Sequence, residues 1–457
     1  MPFLRGALSA VVIVAGAILG SFGGAAAADE ALFERDRFSG DWGGVRKEGQ
    51  DAGIDFGANY VAETLSNPSG GFKQTTIYQG LLDVSLTLDL GKLLDWPDAS
   101  FYIDGYQISG RGLSRNGIGN LLAVSTIEAL ASTRLHDMWF QQEFLDHRAS
   151  LRVGQIALDD EFYISQYSAG FINSTFGCPD IFSTDLPSGG PCYPFATPGA
   201  RFRAAPIANF TVSAAAFNGD PAPPGPGDPQ VRNASGTNFL IGQGGWFTIA
   251  ELAYVFDEEP VSSSHLSGIK LGGWYHTAAF ADPRRDTLGL SLASPASNGI
   301  PASHSGNFGA YLIVDKMLWR RPETATQGLA AFLRVGGAPA DRNLISLEVD
   351  AGLTFKGLFP NRELDVLGAG VSYGRIGFAR RLDRDQVLFT GIDRPVRDYE
   401  AVLELNYSAR IAPWWVLEPD LQLVFHPGGF TSAPPPAPVS QPIPNALVLG
   451  LRSAITF

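Results

Sequence analysis

Ser372 stands in Gly370-Val371-Ser372-Tyr373-Gly374, the spacing of a nucleophile elbow. Such a motif activates a serine only on a strained strand-to-helix turn, with a histidine and an acid alongside. Here it lies within alternating residues, with further glycine after it and no helical pattern, so a plain strand and no enzyme are expected. Neither H-E-x-x-H nor a Gly-rich phosphate loop occurs, so metallopeptidase and nucleotide chemistry have no footing. Cys178 and Cys192 are the only cysteines, and two in an exported chain suggest one disulfide. A zinc site is the weaker alternative, because no histidine sits within ten residues of either. No metal site and no cofactor are expected.

A second set of residues could bind without reacting. Asp83, Asp104, Glu404, Glu418 and Asp420 supply acceptors, and Arg152, Arg334, Arg410 and Arg452 supply forked donors. Tyr102, Tyr106, Trp139 and Trp274 share the polar parity of their segments. Guanidinium beside carboxylate can replace the hydration water of a neutral, hydroxyl-rich solute, whose C–H faces can rest on aromatic rings. The other role for each charge is to pair across an interior and hold its shape. As a set, Asp83, Tyr102, Asp104, Trp139, Arg152, Trp274, Arg334, Glu404, Arg410 and Arg452 are the candidate lining. Trp139 and Arg152 fall on consecutive expected strands and could meet one solute together, the ring stacking and the guanidinium donating.

Strands must position these residues. Leu82, Val84, Leu86, Leu88 and Leu90 interleave with Asp83, Ser85, Thr87 and Asp89. The same alternation runs through 345–356, 401–411 and 447–457, and weaker copies occur at 54–63, 101–108, 210–217, 248–256, 269–277, 329–335, 367–373 and 415–426. Period 2 gives each strand one apolar and one wet face. Several runs reach about ten residues, the length of a tilted strand that crosses a bilayer. The expected fold is all-β: a transmembrane, antiparallel up-and-down barrel of about sixteen strands.

Between these runs lie short turns such as 356–361, expected at the periplasmic end, and Gly/Pro/Ser-rich stretches at 170–199, 219–236, 281–306 and 427–444, expected as long extracellular loops. Residues 118–134 break the pattern with helical spacing and Ser125-x-x-Glu128, the form of a capping box, so a short helix inside a loop is expected. Tyr60, Trp96, Trp246, Trp274, Trp319, Trp414 and Trp415 sit towards strand ends, where interfacial girdles place aromatic rings. The terminal Phe457 closes an alternating strand, in the manner of a barrel-assembly signal.

The chain of 457 residues opens with Arg5, an apolar stretch at 7–19 and Ala26-Ala27-Ala28, the plan of a secretory signal peptide at 1–28. Residues 29–457 then form one domain, with no linker and no apolar run long enough for a transmembrane helix. Charged residues are 17% and the formal charge is −13, which argues against a nucleic-acid partner.

Three blocks carry a resemblance. Ser39-Gly40-Asp41-Trp42-Gly43-Gly44-Val45-Arg46 precedes Gly53-Ile54. His136-Asp137-Met138-Trp139-Phe140-Gln141-Gln142 leads to Leu151-Arg152-Val153-Gly154-Gln155 and Glu161-Phe162. Pro413-Trp414-Trp415, Glu418-Pro419-Asp420-Leu421-Gln422 and His426-Pro427-Gly428-Gly429 precede Asn445-Ala446-Leu447. Together they span about 41–457 and resemble the OprB-type carbohydrate-selective porins of outer membranes. The resemblance implies a sixteen-stranded barrel, passive diffusion of small neutral carbohydrates, and contact with outer-membrane lipid, lipopolysaccharide and the barrel-assembly machinery. A non-selective porin is the alternative on the same fold. The Pro-rich stretches at 221–229 and 433–444 depart from the family pattern.

Overall fold

The computed structural model describes residues 32–256, 267–322, 324 and 326–457. The expected signal peptide therefore lies outside the described residues. Sixteen strands form one closed antiparallel barrel. The wall begins with β1 (Ile54–Ser69), β2 (Thr76–Asp89), β3 (Ala99–Gly110) and β4 (Ser132–Phe144). It continues through β5 (Ala149–Ile156), β6 (Thr197–Ile207), β7 (Phe210–Asn218) and β8 (Trp246–Val255). Then come β9 (Gly268–Asp286), β10 (Pro301–Arg320), β11 (Gly328–Gly337) and β12 (Ile345–Lys356). Last are β13 (Val366–Ile376), β14 (Tyr399–Ala412), β15 (Trp415–Phe425) and β16 (Ala446–Thr456). The sheet closes where β1 pairs with β16, Glu63 opposite Arg452, so no edge strand is left to expose its backbone to lipid.

Alternation does what period 2 requires. In β11 Ala330, Phe332 and Arg334 are buried inside, while Leu333 between them is exposed on the lipid side. In β16 Leu449 and Leu451 face out and Val448 is sealed within. Aromatic rings mark the two rims: Trp246, Tyr275 and Phe308 stand exposed at one, Tyr254, Phe256 and Trp319 at the other. Tyr60 and Trp274 do not join them. Tyr60 lies mid-strand opposite Leu82, and Trp274 points inward from β9 and is buried.

Short connections, the first described residues and the C-terminal end of β16 share one end of the barrel, which is the periplasmic one. The other, extracellular end carries residues 111–131, 157–196, 219–245, 287–300, 377–398 and 426–445. Three details differ from the expectations. Leu90 does not extend β2, because the Asp89 carboxylate accepts the Gly91 and Lys92 N–H groups and starts a helix at Leu90–Leu94. The loop expected at 281–306 shrinks to 287–300, since β9 and β10 run on past the rim as a hairpin. The helix expected in 118–134 is absent: the helical turn is Ser114–Ile118, upstream of it. Glu128 does cap, but it accepts from Ser114 and Arg115 (3.1 and 3.0 Å) rather than from its own segment.

The serine motif resolves similarly. Ser372 lies mid-strand in β13, paired across to Asp350 and Val402. A helix does follow, Ala379–Thr390, contrary to the sequence pattern, but it starts beyond the strand end and Ser372 is on no turn. Gly370 serves packing: a Cβ there would stand 2.8 Å from the rings of both Phe171 and Phe176.

Candidate functional site

Residues 157–196 fold back into the barrel, and a loop buried this way must have its backbone polar groups satisfied. Carboxylates on the inner wall do this. Glu404 of β14 accepts the N–H of Ile172 (2.7 Å) and Asn173 (3.0 Å). Glu348 of β12 accepts those of Asp180 (3.1 Å) and Ile181 (2.9 Å). Glu251 of β8 takes Tyr163 N–H at 3.2 Å, and Asp315 of β10 takes the Ser165 hydroxyl at 2.5 Å. Arg334 of β11 works in the opposite sense, donating to the carbonyls of Thr175 (3.0 Å), Phe176 (2.5 Å) and Gly177 (3.2 Å). Within the loop, Cys178 and Cys192 are joined in a disulfide with Cα atoms 6.2 Å apart.

Apolar packing completes the seal. Phe162, Tyr163, Ile181 and Phe182 pack against Phe217, Phe247, Ile249, Trp274 and Tyr311 of the wall. Phe171 and Phe176 pack on Ala330 and Phe332. The inner face is thus not uniformly wet, as alternation alone predicts, but apolar wherever the loop lies on it. Residues 111–131 form a second inward segment. Glu400 accepts the N–H of Leu122 at 2.7 Å, and the Ser125 hydroxyl donates to Glu63 at 2.7 Å.

This arrangement divides the ten candidate lining residues. Arg334 (0% exposed), Glu404 (3%) and Trp274 (4%) lie beneath the loop, because the backbone and rings that need them come from the loop itself. Arg452 is spent on Glu63 (Nε, 2.6 Å) and on the Thr126 hydroxyl (2.6 Å). Arg410 sits at the periplasmic end of β14, donating to the Pro413 carbonyl at 2.9 Å. These five serve as ties beneath the inward segments or stand at the rim, and the structure does not bring them together.

The other five converge on one stretch of wall. Tyr102 of β3 pairs across to Trp139 of β4, and their rings stack at 5.0 Å between centroids and 21° between planes. Arg152 of β5 lays its guanidinium 3.6 Å from the centre of the Trp139 ring. The ring is thus covered from the strands on both sides, so Trp139 holds its neighbours rather than offering a bare face. Asp104 accepts from the Tyr102 hydroxyl at 3.3 Å, and Asp83 stands on the adjoining β2.

Three residues that the sequence reading missed, Glu161, Arg201 and Gln141, complete the group. Glu161, from the start of the inserted loop, bridges Arg152 and Arg201 of β6, with Arg201 Nε 2.7 Å from its Oε2. Gln141 Oε1 accepts from Arg152 Nε (3.1 Å) and Arg201 Nη2 (3.0 Å). Glu161 stood in a family-like block, and Arg201 alternates with Ala200 and Phe202 in a strand hidden by its Gly/Pro-rich approach. Two guanidiniums on one carboxylate keep a planar array of donors fixed in the wall.

Above this wall a cavity of about 790 Å³ opens between residues 110–130, 174–195 and 228–230, reaching down to Asp159. Its size falls within the roughly 300–1,000 Å³ of small-molecule sites. Its lining mixes Ser, Thr, Asn, Arg and acidic groups with Leu121, Leu130 and Phe195.

Comparison with known proteins bears on this geometry. The family model described as carbohydrate-selective porin, OprB family, matches residues 73–457. Porin B of Pseudomonas aeruginosa is 25% identical over 454 residues, covering 95% of this chain and 94% of that protein. The putative porin QuiX of Acinetobacter baylyi is 22% identical over 458 residues, covering 93% and 94%. Among solved structures, OprB of Pseudomonas putida at high pH superposes with a TM-score of 0.82 at 24% identity, covering 94% of this chain and all of that one. A sixteen-stranded closed barrel narrowed by its own loop, together with a family match over most of the chain, leads to one conclusion: this protein belongs to the OprB family of carbohydrate-selective porins, outer-membrane channels for passive sugar diffusion and not enzymes.

Proposed function

We propose that neutral sugars pass along the wall formed by Tyr102, Trp139 and Arg152, with Asp83, Asp104, Glu161 and Arg201 beside them. The guanidinium held flat on Trp139 carries the proposal. The guanidinium rests over the Trp139 ring, Gln141 engages Nε and Glu161 engages Nη1, and the Nη2 edge has no hydrogen bond among the described residues. A donor fixed in this way can exchange water for a sugar hydroxyl with little loss of side-chain freedom. Each contact must remain weak, because a channel that holds its solute does not release it. Trp139 is a positioning residue in this reading, acting through Arg152.

Sugar block of single-channel current tests the proposal. Arg152→Ala and Trp139→Ala should assemble normally and raise the half-blocking sugar concentration about five- to tenfold, the loss of roughly 1–1.4 kcal/mol. Leu86→Ala, on the lipid-side parity of the exposed Val84, should leave the block unchanged. Equal block in all three variants would remove the proposed contact.

A further inference from the structure

β3 and β4 slip register beside the channel wall: Ile103 pairs with Met138 but Gly105 pairs with Leu135. Asp104 alone therefore faces two residues, His136 and Asp137, in a bulge that turns both side chains towards the interior. His136 is 2% exposed, and neither ring nitrogen has a hydrogen-bond partner. Its ring lies on Tyr106, 4.3 Å between centroids, and Nδ1 is 3.5 Å from Asp104 Oδ2 and 4.0 Å from Asp137 Oδ1. Asp160, exposed at the start of the inserted loop, completes the group. A ring nitrogen of His136 and one carboxylate oxygen each of Asp137 and Asp160 lie within 4.8 Å of one another.

Charge makes this arrangement unusual. Asp83, Asp104 and Asp159 add their fields to those of Asp137 and Asp160 around the one imidazole. The nearby guanidinium of Arg152 is already paired with Glu161. Five carboxylates and one unsatisfied, buried imidazole call for a cation at their centre. One nitrogen and two oxygens suit a borderline transition metal better than calcium or magnesium, which favour all-oxygen sites.

We propose that His136, Asp137 and Asp160 bind one divalent transition-metal ion, with zinc the best match to the donor set. The bound ion would tie the start of the inserted loop to β4 and remove negative charge from the channel wall. The exposed Asp160 gives it a way in, next to Asp159 on the lining of the extracellular cavity.

Zinc alone, titrated calorimetrically into chelator-treated, detergent-solubilised full-length protein, tests this. One saturable site of micromolar affinity is expected, weakened at least tenfold in Asp160→Asn and in His136→Gln. His147→Ala removes a separate exposed histidine beside Glu143 and Asp98, and should leave that site intact. The bland alternative is an imidazolium shared among the carboxylates, which would bind no zinc. Absence of saturable binding overturns the proposal, as does binding that disappears with His147→Ala and survives Asp160→Asn. Should His136→Gln fail to assemble, the exposed Asp160→Asn decides the matter alone.

Discussion

At the scale of single residues, the barrel's inner charges divide by what they face. Arg334 faces carbonyls: three from the loop accept from it, and Asp350 lies 3.5 Å from its Nε. Removing such a group leaves a buried carboxylate and several acceptors without a donor, which costs about 3–5 kcal/mol. Arg334→Ala should therefore lower the temperature at which the folded band on an SDS gel converts to the unfolded one, and Arg334→Lys should restore only part of it. An unchanged conversion temperature in Arg334→Ala would contradict the tie. Arg152 keeps its Nη2 edge without a hydrogen bond among the described residues, and its proposed consequence is read in sugar block rather than in stability. The sequence shows both as arginines on the wet face of a strand. What separates them is whether a loop distant in the chain lies on top, and period 2 holds no information about that.

At the scale of elements, the inserted loop is held by side chains of the wall. Glu404 and Glu348 each accept two of its N–H groups, hydrogen bonds worth about 0.5–1.5 kcal/mol apiece. Glu404→Ala combined with Glu348→Ala should free the loop from β12 and β14. Ion conductance in planar bilayers should rise and sugar block should weaken, with barrel assembly retained. Unchanged conductance would mean that the apolar contacts of Phe171, Phe176 and Phe182 hold the loop without these ties.

On the extracellular side, the helix Ala379–Thr390 is clamped to the β9 extension by Arg284, whose Nε and Nη2 lie 2.7 and 3.2 Å from the Asp385 carboxylate. That hydrogen bond holds the Asp385 carboxyl below its usual range. A depressed carboxyl contributes stability that is complete above its unfolded value and is lost as pH falls through the folded one. Acidification below the ordinary carboxylate range should therefore lower the protection of 379–390 against hydrogen exchange, taken relative to the intrinsic rate at each pH. In Arg284→Ala that contribution is absent at every pH, so protection should already be low at neutral pH and change little on acidification. Identical profiles for the two proteins would show that the clamp does not hold the helix. The sequence showed neither this helix nor the Ser114–Ile118 turn: each stands in a loop whose start is set by tertiary partners, as Glu128 does for the turn.

At the scale of the whole molecule, the strands that could be read are those whose inner faces meet polar groups. β2, β12, β14 and β16 set Asp, Glu, Ser and Arg against leucines, so their alternation stands out. β7 and β8 carry Phe217, Phe247 and Ile249 inward to meet the loop, which makes both faces apolar and blurs the period. The loop's burial thus weakened the signal of the strands that bury it, while β6 with Arg201 was hidden by its Gly/Pro-rich approach. Closure and strand number nevertheless agree with the expectation drawn from alternation and the family-like blocks.

The most direct test of sugar passage through this lumen is current through single channels of the unmodified protein, recorded while a neutral sugar is added to one side. The account predicts brief interruptions whose total rises with sugar concentration and saturates, as expected for a solute that meets fixed donors and leaves again. A current that falls only in proportion to solution viscosity, for every sugar tried, would contradict it and leave a non-selective pore.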